Sequence, residues 1–235
     1  MNETDWQYFQ PYIAQLEQEG VVTRTFRRLD PDRQEAVFNA ILEEAIEKGP
    51  ASLNIKEIAR RAEVSIGSLY QYFPDRNGLL TFAVELCVRS TVAMFKEYMP
   101  MMAAMPLKEA IGAYLMGGLE WGKTATGLVR FFGRAAYQGD ADLAERVVRP
   151  VATIMRETMK EILAQAQARG EIRAGVDIEA MARVINALTI TIGDSQLLPY
   201  LNNYFQVTDK KVRLERISEA LFDLIQNGIA SPASH

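Results

Sequence analysis

Two very short helices, joined by a tight turn and flanked by longer helices, constrain the fold of this 235-residue sequence more than any other feature. Asn54 can cap the first helix, and Glu57 follows three residues later, as in a capping box. Ser65 can cap the second. The spacing predicts helices over 54–62 and 65–73, a helix-turn-helix pattern. A plain helical hairpin with a solvated polar face has the same spacing, so both interpretations stay open on spacing alone.

The rest of the sequence is also helical in pattern, because no sustained alternation rich in Val, Ile and Thr occurs between turn signals. Asp30 suits an N-cap and Pro31 suits the first helical position. Pro150 either separates two helices or kinks one. The sequence therefore predicts an all-α protein. Further helices are expected at about 31–48, 75–98, 107–123, 126–137, 141–148, 150–169, 177–198 and 209–228, with caps at Asp140, Asp177 and Thr208 and breaks at Gly139, 170–175 and Asn202-Asn203.

The rarest residue types exclude most catalytic chemistry. Cys87 is the single cysteine and His235 is the single histidine. A disulfide framework, a CxxC metal knuckle, a Ser-His-Asp triad and a His-ligated zinc site are therefore excluded. We expect no metal and no cofactor, and an enzyme would have to use carboxylates, Lys or Tyr alone.

Membrane insertion and secretion are not expected either. Gly, Lys, Arg or Glu interrupt the longest apolar stretches before the roughly 18 residues that a membrane helix needs. The first five residues are acidic and polar, unlike a secretory signal. The expected location is the cytoplasm, with no membrane partner.

The second short helix has the side chains that a DNA-reading helix needs. A recognition helix must enter a major groove about 12 Å wide, and small residues at its start let the backbone approach phosphates. Tyr70 and Tyr72 can reach phosphates with their phenols while their rings pack on the scaffold. The small or polar residues on one side are Ser65, Gly67, Ser68 and Gln71.

The residue string is more specific than the spacing. Residues 54–80, NIKEIARRAEVSIGSLYQYFPDRNGLL, resemble the DNA-binding region of TetR-family transcriptional regulators, most closely in VSIGSLYQYF at 64–73. The resemblance is sharp over about 30–82. It implies a three-helix DNA-binding domain and a connecting helix that leads into a helical ligand-binding and dimerisation domain. The implied ranges are an N-terminal extension at 1–29, the DNA-binding domain at 30–80 and the ligand domain at 81–235.

The resemblance also implies roles for individual residues. Lys56 stands where the second helix contacts the DNA backbone, Tyr70 and Tyr72 hold phosphates, and Arg76 stands where a Lys often contacts a phosphate. Gln71 is the best candidate for reading a base, because Gln can bond adenine in the major groove. The implied DNA contacts are Lys56, Ser65, Ile66, Gly67, Ser68, Tyr70, Gln71, Tyr72 and Arg76.

The sequence departs from the family pattern in three ways. Glu63 occupies a turn position where the family usually has Gly, which would cost on the order of 1 kcal/mol if that position has a positive φ. The segment before residue 30 is unusually long. Acids outnumber bases over 1–80, within a chain of net charge -4. The bases are Arg24, Arg27, Arg28, Arg33, Lys48, Lys56, Arg60, Arg61 and Arg76, and the acids are Glu3, Asp5, Glu17, Glu19, Asp30, Asp32, Glu35, Glu43, Glu44, Glu47, Glu57, Glu63 and Asp75.

The N-terminal extension has two patterns of its own. An apolar stripe on a short helix that ends near Gly20 is expected to pack on the DNA-binding domain or its neighbour; a membrane-surface helix is disfavoured because acids replace the usual basic face. The basic segment at 23–28 reads as extended. It is either an arm along the DNA backbone or minor groove, or a solvated linker. The stripe is Trp6, Phe9, Ile13 and Leu16, and the basic residues are Arg24, Arg27 and Arg28.

Between 94 and 160 the sequence is rich in Met and aromatic residues, which suit a pocket for an apolar or amphipathic molecule. Pro100 and Pro106 bracket a Met-rich link after the long helix. Ordinary helical core would give the same composition. Within apolar helices, the polar residues to follow are Glu120, Asn186 and Asp194. The candidate pocket residues are Met94, Tyr114, Trp121, Phe131, Phe132, Met155, Met159 and Asp194.

The last two predicted helices, 177–198 and 209–228, have long apolar faces. A helix that keeps apolar residues after covering its own core needs a partner. The resemblance to TetR-family regulators implies that this partner is the same pair of helices in a second copy, so that the protein is a homodimer. Leu221 is expected at the centre of that interface. Alternatively, both helices pack within one chain.

The sequence thus predicts a ligand-responsive DNA-binding regulator. The expected form is a repressor that a small apolar or amphipathic effector releases from a palindromic double-stranded operator. Two alternatives remain: a helical ligand-binding protein of the same fold without DNA binding, and an all-helical enzyme.

Overall fold

The computed structural model describes residues 6–49 and 52–229, and within these ranges it contains helices and no β-strand, so the all-α prediction is confirmed. Helical contacts group the described residues into two compact units. The first comprises those of Met1–Val92 and Ala125–Pro150, and the second those of Ala93–Thr124 and Val151–His235. The three domains expected from the sequence, at 1–29, 30–80 and 81–235, differ from these two units and remain a prediction.

The first unit contains the N-terminal helices and a short later group. A 3₁₀ turn at Gln7–Phe9 leads into α1, and a π-helical segment at Ala144–Val148 follows α9. The helices are α1 (Gln10–Gln18), α2 (Arg24–Arg27), α3 (Pro31–Lys48), α4 (Ile55–Arg61), α5 (Ile66–Tyr72), the start of α6 (Arg76–Ala104), α8 (Thr126–Tyr137) and α9 (Ala141–Leu143).

The second unit contains the end of α6 and the later helices. Pro150 is the second residue of α10, directly after the π-helical segment, so it lies at the start of a helix. The helices are α7 (Leu107–Thr124), α10 (Arg149–Ala168), α11 (Ile178–Leu197), α12 (Pro199–Phe205) and α13 (Leu214–Ile229). The first two residues of α10 belong to the first unit, and the helix belongs to the second unit from Val151 onward.

Aromatic rings form the core of the first unit. Phe26, Phe73 and Phe82 pack with ring centroids 4.9–5.5 Å apart, and Phe38 contacts both Phe82 and Trp6. The Trp6 indole also donates a 3.0 Å hydrogen bond to the buried side chain of Gln34 on α3. The N-terminal apolar stripe is buried in this core, which confirms the packing interpretation.

Aliphatic residues dominate the core of the second unit. Side chains from α7, α10, α11 and α13 meet there, including Ile111, Ile162, Ile185 and Leu221. One polar pair is buried among them. The Tyr114 hydroxyl donates a 2.8 Å hydrogen bond to Asn186 Oδ1, and burial raises the pKa of Tyr114.

The structure corrects the predicted conformation of 23–28. This segment is not extended: α2 forms over Arg24–Arg27, with Thr23 at its N-cap. Burial of the Phe26 ring provides the reason, since a helical turn directs this side chain into the aromatic core while the arginines stay outside.

Three predicted boundaries in the second unit were wrong. Helix α6 continues through Pro100 to Ala104 rather than ending near 98, and the burial of Met102 and Ala103 outweighs the backbone bond that Pro100 lacks. Helix α12 forms where a break at Asn202-Asn203 was expected, because Pro199 suits a helix start.

The last helix begins at Leu214 rather than at 209, so Thr208 is not its cap. Asp209 instead closes a turn by accepting hydrogen bonds from the backbone N–H groups of Lys211 and Val212, both at 2.7 Å. Thr208 is held by the Asn202 side chain, which accepts from its N–H and donates to its carbonyl oxygen.

One helix in the described ranges, α6, is long and apolar enough to cross a membrane. The sequence predicted no such helix, because residues such as Glu85 and Arg89 interrupt its apolar stretches. Half of the apolar window is buried inside the protein, and a core helix meets the same criteria. This is weak evidence for a membrane span.

Candidate nucleic-acid interface

Side-chain caps fix the starts of the two short helices. Asn54 Oδ1 accepts from the N–H groups of Lys56 and Glu57 at 3.0 and 3.4 Å, and Ser65 Oγ accepts from Ser68 N–H at 2.9 Å. Each cap satisfies backbone donors that have no partner within the helix. Both predicted caps are confirmed, but the predicted capping box is not formed: Asn54 N–H donates to Glu44 Oε1 of α3, and the Glu57 carboxylate pairs with Arg60 and Arg61.

Helix α5 has two distinct faces. Leu69 and Tyr72 are buried, and the Tyr72 ring packs against Phe26 with centroids 5.9 Å apart. Tyr70 is 58% exposed and Ile66 is 39% exposed. The other predicted groove residues, Ser65, Gly67, Ser68 and Gln71, are exposed or half-buried. One side of α5 thus holds the helix on the unit, and the other side presents small and polar groups.

The turn before α5 has an unusual backbone. Glu63 has φ 54°, in the left-handed region that favours glycine, and its side chain is exposed. Because φ is positive at this turn position, the backbone of Glu63 carries a strain on the order of 1 kcal/mol relative to glycine. The same side chain adds a negative charge beside the start of α5.

Ion pairs fix α4 on α3. The Arg61 guanidinium contacts three carboxylates of α3, those of Glu43, the fully buried Glu44, and Glu47, at 2.7–3.5 Å. It also pairs with Glu57 on its own helix. These contacts raise the pKa of Arg61, and hydrogen bonds from the neighbouring arginines lower the pKa of Glu57 to about 2.

Ion pairs offset part of the excess of acidic residues over 1–80. Many acids of the first unit lie within ion pairs, while Lys56 is exposed and has no carboxylate partner among the described residues. Arg76, the other predicted cation, donates a 2.6 Å hydrogen bond to the carbonyl oxygen of Leu53. The Arg76 guanidinium thus binds the loop before α4.

The sequence analysis missed the residues that hold the end of α5. Thr23 N–H donates to the Tyr72 carbonyl oxygen at 2.9 Å, and the Thr23 hydroxyl donates to the Gln71 carbonyl oxygen at 2.5 Å. The available signal is Thr23, which can cap a short helix. A helix of four residues is too short to show a periodic apolar pattern in the sequence.

The predicted pocket residues are not all brought together. Phe131 and Phe132 belong to the first unit, whereas the other six belong to the second. Tyr114 and Met159 are buried, and Met94, Trp121, Met155 and Asp194 are half-buried. A cleft of about 200 Å³ lies elsewhere in the second unit, and it is lined by Pro106, Leu107, Lys108, Ile111, Glu171, Phe222, Ile225 and Gln226.

Family profiles match both parts of the chain. The profile for bacterial regulatory proteins of the tetR family matches residues 37–81, which include α4 and α5. The profile for the tetracyclin repressor-like C-terminal domain matches residues 123–191. The chain belongs to the TetR family. TetR-family proteins are DNA-binding transcription factors rather than enzymes, and they bind small-molecule ligands and form dimers.

Solved structures of TetR-family regulators share the fold. A TetR family transcriptional regulator from Chloroflexus aurantiacus J-10-FL superimposes with a TM-score of 0.63 at 18% identity, covering 90% of this chain and 99% of that one. The MbdR regulator from Azoarcus sp. CIB gives 0.62 at 19% identity, covering 83% and 98%. SmeT, the repressor of the Stenotrophomonas maltophilia multidrug efflux pump SmeDEF, gives 0.59 at 17%, covering 86% and 94%. A comparison with curated proteins found no match.

Proposed function

We propose that this TetR-family protein is a repressor that a small apolar or amphipathic effector releases from a palindromic operator. The exposed face of α5 is the observation that carries the proposal. Tyr70 and Gln71 lie in its last turn, and Ser65, Gly67 and Ser68 lie at its start. This face offers hydroxyl, amide and backbone N–H groups and little bulk, which suits a helix that must enter a major groove.

Phosphate contacts and base contacts have different roles in the proposed interface. Phosphate contacts from Tyr70 and Lys56 fix the position of the protein on the duplex and act on any sequence. Gln71 reads a base edge, because its amide can donate and accept in the major groove. Tyr72 contributes through its buried ring, which supports α5 from behind.

A homodimer would place two copies of α5 on one face of the operator, about 34 Å apart. Apolar side chains on α11 and α13 support this assembly: Val184, Leu188 and Leu224 are 53%, 37% and 61% exposed. Val184 and Leu188 are four residues apart and lie on the same side of α11, and a contiguous exposed apolar surface of this kind is typical of a protein interface. Leu221, the residue expected at the interface centre, is only 6% exposed and belongs to the core.

The effector would act by a population shift. An effector bound in the second unit favours a conformation in which the two copies of α5 no longer match successive major grooves. Helix α6 is the covalent route for this change, since it starts beside α5 and ends in the second unit. Tyr114 and Asn186 supply a hydrogen-bonded polar pair within a largely apolar core, which suits an amphipathic molecule.

A mobility-shift experiment with the DNA that flanks the protein's own gene tests this proposal. The wild-type chain should retard that fragment at a lower concentration than a scrambled duplex of equal length. If the protein shifts neither fragment, the result would favour the alternative of a ligand-binding protein without DNA binding. Native mass spectrometry of the purified protein would then reveal an effector that co-purifies.

A further inference from the structure

The short helix α2 is attached to the C-terminal end of α5. Thr23, its N-cap, donates to the carbonyl oxygens of Gln71 and Tyr72 at 2.5 and 2.9 Å. The last carbonyl groups of a helix have no partner within the helix, so Thr23 satisfies two that α5 would otherwise leave to solvent. The start of α2 is therefore fixed relative to the last turn of α5.

A buried ring holds the middle of α2. Phe26 is fully buried and contacts the rings of Tyr72, Phe73 and Phe82, with centroids 4.9–5.9 Å apart. Two anchors, one polar and one apolar, thus attach a four-residue helix to the recognition helix. The basic segment is part of the folded unit and not a loose arm.

The three arginines of this segment have different surroundings. Arg27 pairs with Glu17 of α1. Arg24 and Arg28 are exposed, and within residues 6–49 and 52–229 neither has a carboxylate partner. They are four residues apart on helical backbone, since Arg28 still has helical dihedral angles, and this spacing puts both on one side of α2.

We propose that Arg24 and Arg28 form a phosphate-binding surface that Thr23 and Phe26 hold beside the recognition helix. Duplex DNA is the ligand, because both exposed guanidinium groups belong to the short helical segment that Thr23 attaches to the backbone carbonyl oxygen of Gln71. Guanidinium groups bind phosphate oxygens in a bidentate manner and keep their charge at any working pH. This proposal rests on the proposed function of α5.

The salt dependence of DNA binding tests this surface. Each phosphate contact lowers the slope of log K against log salt by about 0.9, so Arg24→Ala/Arg28→Ala should flatten the slope by about two units per bound chain. Lys96→Ala/Lys108→Ala is the matched control, because it removes two exposed charges from the second unit. Arg24→Lys/Arg28→Lys keeps both charges and should retain the wild-type slope.

The outcomes separate this surface from the function on which it rests. A double alanine variant that keeps the wild-type slope, while its circular dichroism and melting temperature are unchanged, would overturn the surface and leave the proposed function standing. A control variant that flattens the slope equally would also overturn it, since general charge would then explain the effect. Wild-type protein that binds no duplex would overturn the proposed function and this surface together.

Discussion

Thr23 donates its hydroxyl hydrogen bond to the carbonyl oxygen of Gln71, at 2.5 Å and across 48 residues of sequence. The bond joins the N-terminal extension to the residue that we propose reads a base. The Gln71 side chain stays exposed while its carbonyl group is satisfied. The N-terminal extension therefore holds the C-terminal end of α5, a contact that the residues of the helix-turn-helix alone do not predict.

Thr23→Val should destabilise the protein by about 1 kcal/mol, because valine keeps the branched shape and loses the hydroxyl donor. The Thr23 hydroxyl also accepts from Phe26 N–H at 3.4 Å, so the same change weakens the start of α2. Urea denaturation provides the measurement. Thr25→Val, at an exposed position on the same helix, is the control and should have little effect. Equal stability of the two variants would show that the Thr23 bond contributes nothing.

Glu63→Gly should stabilise the protein by roughly 0.5 to 1 kcal/mol, since glycine adopts φ 54° without strain. The same change removes a negative charge near the DNA and should tighten binding. Glu63→Gln separates the two effects: it removes the charge and keeps the strained backbone, so it should tighten binding without stabilising. A denaturation midpoint for Glu63→Gly at or below that of the wild type would contradict the strain argument.

Leu224→Glu should convert the proposed dimer to folded monomers, because it places an unpaired charge on an exposed apolar surface of α13. Gln226→Glu adds the same charge at an exposed position on another side of α13 and should leave the dimer intact. Sedimentation velocity distinguishes the species. Leu221→Glu is not a useful test of the interface, because burying that charge in the core should unfold the second unit. A dimeric Leu224→Glu protein would place the interface elsewhere.

Acid should weaken the contact between Glu57 and the arginines of α4. The pKa of Glu57 is about 2 in the folded protein against an ordinary 4.5, because Arg60 and Arg61 donate hydrogen bonds to it. Its contribution to stability is thus fully present above pH 4.5 and is lost as the pH falls towards 2. The difference in melting temperature between wild type and Glu57→Gln should shrink from pH 6 to pH 2.5. A difference that stays constant over this range would contradict the pairing.

The helix-turn-helix could be predicted from the sequence because its signals are local. The caps Asn54 and Ser65 lie next to the backbone groups that they satisfy, and Glu63 stands at a turn whose backbone follows from the motif. Side chains exposed on α5 follow from helical periodicity once its ends are known. Such features need no knowledge of distant residues.

Features that depend on distant residues could not be predicted. Helix α2 forms because Phe26 enters a core built from α5 and α6, and α6 passes Pro100 because Met102 finds a buried position. The predicted pocket mixed residues of two units, since composition does not report which helices pack together. Leu221 and Leu224 have similar places in the sequence pattern, yet one is core and the other is exposed.

Loss of the Tyr70 hydroxyl should weaken binding to all sequences alike. Tyr70→Phe removes one phosphate hydrogen bond and keeps the ring, so we expect a loss of about 1 kcal/mol on operator and scrambled duplex equally. Fluorescence anisotropy at fixed salt measures both affinities. Because the Tyr70 side chain is well exposed, the Tyr70→Phe variant should keep the wild-type fold. A change in the ratio of the two affinities would mean that Tyr70 reads sequence.

The most direct test of the account is the same anisotropy titration with Gln71→Ala. The account predicts that affinity for the fragment flanking the protein's own gene falls by about 1 to 3 kcal/mol, while affinity for the scrambled duplex stays near the wild-type value. The specificity ratio would then fall towards one. An unchanged ratio in a folded Gln71→Ala protein would contradict the assignment of the exposed face of α5 to the major groove.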